Sequence, residues 1–86
     1  MAGKKPDVEE AIGNLIAVLA GEYIPPALTV AVTASARAEM AGDHDLAAQH
    51  FDHAWTLTCL GVDCGLPVSE LYAIGGQALI DARNQA

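Results

Sequence analysis

The chain has 86 residues, 52 % of them hydrophobic and only 17 % charged. That length supports one domain with one modest core, and the composition is too apolar and too sparsely charged for a disordered chain. Four Lys and Arg against eleven Asp and Glu leave a net charge of −7. A surplus of acids removes the attraction that supplies most nucleic-acid affinity, so direct DNA or RNA binding is not expected.

The apolar run nearest the N-terminus covers residues 11–20, and Asp7, Glu9 and Glu10 separate it from Lys4 and Lys5. A secretory signal wants a positive flank free of acids, and a membrane span wants about 20 apolar residues. Neither condition is met, so no membrane partner is expected and the chain reads as cytoplasmic. Cys59 and Cys64 are too few for a disulfide framework, although a short ring between them across a glycine-containing loop stays open.

Three Gly/Pro punctuations, at 21–26, 41–43 and 61–67, divide residues 7–84 into four helices, with 1–6 and 85–86 as flexible ends. The first helix is expected over 8–20. Asp7 can cap it with Glu10 three residues on, Ile12, Leu15, Ile16 and Leu19 fall on one core-facing stripe, and Gly21 can end it. Residues 28–33 alternate as a strand would, but no second strand is available to pair with them. Ala27, Ala31, Ala34, Ala38 and Ala41 line one helical face instead, which predicts a helix over 26–40 opened by Pro25 and Pro26.

The third helix is expected from Asp43 or Asp45 to about Leu60. Its core arc holds Leu46, Ala47, His50, Phe51, Ala54, Trp55, Leu57 and Thr58, with Gln49, Asp52 and Thr56 opposite. The fourth follows Pro67 at N1 or Ser69 as N-cap, and gathers Leu71, Ile74, Gly75, Ala78, Leu79 and Ala82 on one side. Gly75 and Gly76 each cost about 1 kcal/mol relative to alanine in a helix interior, so close packing on the alanines of the second helix is expected as compensation.

Gly42, Ala47, Phe51 and Ala54 lie at offsets 0, +5, +9 and +12. In this the segment 28–61 resembles the second half of a tetratricopeptide repeat. There a glycine turns between two helices, one alanine lets them touch, an aromatic fills the gap and a second alanine faces the next helix. The first half departs from the pattern: Ala31, Ala34 and Ala38 stand where the family has large residues, Cys59 stands where it closes on proline, and only Ser35 fits its small position. The resemblance implies an antiparallel αα-hairpin and a protein-binding role, with no catalytic residues.

Chemistry is sparse. His50, His53 and Cys59 are the candidate metal ligands, since helical neighbours lie three and four residues apart. Their spacing with Cys64 matches no zinc motif, however, and a histidine at the edge of a core is the commoner reason for such a placement, so no metal or other cofactor is expected. No HExxH, GxGxxG, P-loop or nucleophile elbow occurs, and the chain is not expected to be an enzyme.

No Lys or Arg lies between Ala38 and Ala82, while seven acids do. That field favours basic partners, although solubility alone would also account for it. Val18, Leu60, Ala73 and Ile80 fall off the core faces, which points to an interface and to a homodimer as the simplest cover. The expectation is therefore an all-α, four-helix domain with a central hairpin. It would act as a small acidic protein–protein interaction module, an adaptor or accessory factor, binding through Trp55, Leu60 and Ile80 with Asp52 and Asp81 beside them. The alternatives are a metal or ligand sensor built on His50, His53 and a cysteine, and an acidic mimic of nucleic acid.

Overall fold

A computed structural model describes residues 7–85; residues 1–6 and Ala86, where most of the expected flexible ends fall, lie outside the described residues. The described chain is helical throughout apart from short turns and contains no strand, so the fold is all-α.

Helix α1 (Val8–Val18) starts at Asp7, whose Oδ1 accepts the Glu9 amide at 3.1 Å. It does not stop at Gly21. A five-residue π-turn, Leu19–Tyr23, carries it straight into α2 (Ile24–Met40), giving one continuous helix of 33 residues. Among the described residues, three helical rods therefore stand where four helices were expected. The prolines explain the π-turn: Pro25 and Pro26 offer no amide, and in a plain α-helix their rings press on the carbonyls four residues back. Widening the turn, so that the Ile24 amide reaches Leu19 O, relieves that pressure without breaking the rod.

Residues 28–33 are helical, as the missing strand partner implied. After Met40 the chain reverses at Gly42, whose φ of +82° is the left-handed conformation that glycine adopts without penalty. Asp43 N donates to Ala38 O at 2.9 Å and Gly42 N to Glu39 O at 3.0 Å, closing the helix end. Helix α3 (His44–Asp63) is capped by Asp43 Oδ1, which accepts the Leu46 amide at 3.1 Å.

Helix α3 continues past the expected end at Leu60 because Gly61 is a packing glycine. A Cβ there would stand 2.9 Å from Leu71 Cδ2 and 3.4 Å from Ile24 Cγ2. The true turn is at Gly65 (φ +95°), and α4 (Val68–Asn84) opens with Pro67 at the N-cap rather than at N1. At the far end of α4, Gln85 accepts a hydrogen bond from Arg37 Nη2 at 3.3 Å, so this expected loose residue is tied to α2.

Helix α2 is the centre. It packs along α3, which runs antiparallel to it, and along α4, while α3 and α4 touch each other little. The core is Ile24, Leu28 and Ala31 of α2, Ala54 and Leu57 of α3 and Leu71 of α4, with Leu19, Val32, Cys64, Leu66 and Ile74 around it. Of the alanine face of α2, Ala31 and Ala38 are buried, Ala27 and Ala34 are half-buried and Ala41 is exposed. Gly75 meets Val32 Cγ2 at an ordinary 3.7 Å and Gly76 meets nothing within 4 Å, so the expected close seating of both glycines on α2 does not occur.

Helix α1 corrects the expected core most. Ile12, Leu15 and Ile16 are exposed and only Leu19 is half-buried, because α1 makes no substantial contact beyond the π-turn that continues it. The molecule is accordingly long, 62 × 22 × 18 Å.

Candidate functional site

Because α3 and α4 both pack on α2 but barely on each other, a groove remains between them with α2 as its floor. It encloses about 820 Å³. Each wall is one helical stripe. Leu28, Val32, Ser35 and Ala36 come from α2; Ala47, Ala48, Phe51, Ala54, Trp55 and Thr58 from α3; Leu71, Tyr72, Gly75, Gly76, Leu79 and Arg83 from α4. Spacings of three and four residues put each set on one face, and the two glycines keep the α4 wall low.

The groove is apolar in effect as well as in composition. Ser35 Oγ donates to Ala47 O and Thr58 Oγ1 to Ala54 O, both at 2.9 Å, so these two hydroxyls are already engaged. Among the described residues, no buried side-chain nitrogen or oxygen lacks a partner. Three aromatics stay open to solvent around the groove: Phe51 at 62 %, Trp55 at 53 % and Tyr72 at 58 % exposure. Polar character gathers at one end, where Met40, Glu39, His44 and Arg83 lie, and there His44 Nδ1 sits 3.0 Å from Glu39 Oε1.

Trp55 is the one expected contact residue that lines the groove. Leu60 and Ile80 are exposed but outside it, as are Asp52 and Asp81; Asp81 accepts a hydrogen bond from Gln77 Nε2 at 2.9 Å. Ala73 is exposed off the core face of α4, and Val18 is exposed together with the whole of α1. The buried face of α3 is narrower than the expected arc: Ala47, Ala54, Leu57 and Thr58 are buried, His50 is half-buried, and Leu46, Phe51 and Trp55 are exposed. A single helix covers α3, and one neighbour hides a narrower face than a full bundle would. Tyr72, Met40 and Leu79 were not singled out as contact residues. The signal for Tyr72 was its place four residues before Gly76, on the stripe that runs through Leu79 to Arg83.

His53 and Cys59 are exposed, Cys64 is half-buried against the core, and both cysteines are free thiols. Among the described residues, no group of three or more His, Cys, Asp or Glu is placed to hold a metal ion. The length argument against a membrane span changes, since the apolar run does not stop at Ala20: the continuous Val8–Met40 helix is long and apolar enough, by length and composition, to cross a membrane.

Compared with protein-family models, curated proteins and solved structures, the chain matches none of them. The tetratricopeptide likeness of 28–61 therefore rests on Gly42, Ala47, Phe51 and Ala54, with Ser35 at the small position of the first half. Gly42 makes the turn and both alanines are buried in the hairpin, whereas Phe51 is open at the groove instead of filling the gap.

Proposed function

We propose that this protein is a small acidic helical interaction module, an adaptor or accessory factor, whose groove between α3 and α4 receives an amphipathic helix from a protein. One observation carries the reading: an apolar channel floored by α2 leaves Phe51 and Trp55 exposed in one wall and Tyr72 exposed in the other. Exposed apolar clefts of this kind mark contact sites, and aromatic side chains supply most of the anchoring energy at protein interfaces. A helix laid in such a channel presents residues at i, i+3, i+4 and i+7 to it.

Trp55 is the only tryptophan, so it reports directly on the groove. Titration of the dilute protein with an amphipathic helical peptide of unrelated sequence is expected to shift Trp55 emission to the blue in a saturable way. Gly76→Phe, which fills open space in the groove, is expected to abolish the shift. A flat titration with the wild-type chain would sink the reading.

A further inference from the structure

We infer that the helix the groove receives is α1 of a second copy of this chain, in a two-fold dimer where each α1 completes its partner's bundle as the fourth helix. The inference rests on the reading of the groove as a helix-docking channel and names its occupant.

Four observations support this occupant. The lengths agree: α1 has 11 residues, about 16 Å at 1.5 Å per residue, and the α4 wall from Tyr72 to Arg83 spans about the same. The surfaces agree: Ile12, Leu15 and Ile16 form an exposed apolar stripe, and the groove is an exposed apolar channel.

The charges agree and set the direction. Among the described residues, the only Lys or Arg side chains are Arg37 and Arg83, in the last turns of α2 and α4 at one end of the groove. Glu9 and Glu10 stand in the first turn of α1. Glu39, 3.0 Å from His44 Nδ1, lies at the same end, as do Asp43 and Asp45 at the α2–α3 turn and Asp81 on α4, so the attraction is local to the two arginines, of which Arg83 lines the groove. Bringing Glu9 and Glu10 to the arginines runs the docked α1 antiparallel to the α2 beneath it. Its positive N-terminal dipole then meets the negative C-terminal ends of α2 and α4.

The symmetry closes. Each α1 runs on into its own α2, so the docking direction lays the two Val8–Met40 rods antiparallel and makes the two contacts equivalent. Such a dimer needs the α1 stripe and the groove on the same side of the rod. The π-turn supplies this, because Ile24, bonded back to Leu19, takes the place on that side that the fourth residue after Leu19 has in an α-helix. The arrangement is isologous: the same two surfaces meet twice, and nothing is left to propagate.

The test is the mass of the full chain in solution by sedimentation equilibrium, on wild type, Ile16→Glu in α1, and Gly76→Phe and Ala48→Glu in opposite walls of the groove. Wild type is expected at twice 8.9 kDa. Each variant is expected to keep its far-UV helical signal and to weaken the dimer by at least about tenfold. An equimolar mixture of Ile16→Glu and Gly76→Phe is expected to recover a heterodimer, since one chain supplies an intact groove and the other an intact α1. A dimer broken by Ile16→Glu but untouched by both groove variants would overturn the inference in favour of α1 pairing with α1. A wild-type monomer would also overturn it, as would a wild-type chain that leaves the dimer for phosphatidylcholine vesicles. In those cases the Trp55 titration with an unrelated peptide shows separately whether the groove still docks a helix.

Discussion

Ile12, Leu15 and Ile16 in α1 and Leu28, Ala31 and Val32 in α2 belong to one uninterrupted rod, and each set repeats with helical spacing. The first set is exposed, while Leu28 and Ala31 are buried and Val32 is half-buried. Capping does not separate the two regions either, since Asp7 and Asp43 each accept one backbone amide at 3.1 Å. The difference is neighbours: α2 has α3 and α4 against it, and α1 has only the π-turn. Periodicity marks the face a helix is able to bury, and a partner decides whether it does.

That contrast can be broken most forcefully at Leu28. Leu28→Ala leaves a cavity in a closely packed core and is expected to cost about 2–5 kcal/mol by denaturant unfolding. Ile12→Ala, compared at a dilution where the chain is monomeric, is expected to cost under about 0.5 kcal/mol. Equal losses would mean that α1 is part of the core after all. Gly61→Val is the next largest effect, because the new side chain is driven into Leu71, which is only 1 % exposed; a loss of about 1–3 kcal/mol is expected in the same assay.

The caps sharpen the comparison on a smaller scale. Asp43→Ala is expected to cost about 1 kcal/mol of global stability, since α3 cannot fray without uncovering α2. Asp7→Ala is expected to leave global stability of the monomer unchanged and to lower only the helical circular dichroism signal as α1 frays. Smallest is a gain: Gly76→Ala puts a methyl group into open space in a helix interior and is expected to stabilise by about 0.5–1 kcal/mol in thermal or chemical unfolding.

The all-α class was legible because the apolar spacings of residues 8–20, 43–60 and 68–84 fit no other period, and because residues 28–33 had no strand to join. Asp7, Asp43 and Gly42 declared their roles through local chemistry alone. The rod through 19–26 was not legible. Gly21, Pro25 and Pro26 announce a missing donor and a steric problem, but a wider turn resolves both without ending the helix. Gly61 read as a break because the demand for a hydrogen atom there comes from Leu71, ten residues away in the chain. The groove was half legible: Trp55 stood out as an anchor, but Phe51 and Tyr72 become open only once α3 and α4 are known to avoid each other.

The paired prolines carry a further consequence, for cooperativity. Two successive residues without amides remove two rungs from the hydrogen-bond ladder where the rod leaves its bundle, so opening on one side of that gap is weakly coupled to opening on the other. The rod is continuous in shape and divided in free energy. Amides before the gap are set to exchange with solvent through local opening, and those of α2, beneath α3 and α4, only when the whole bundle opens.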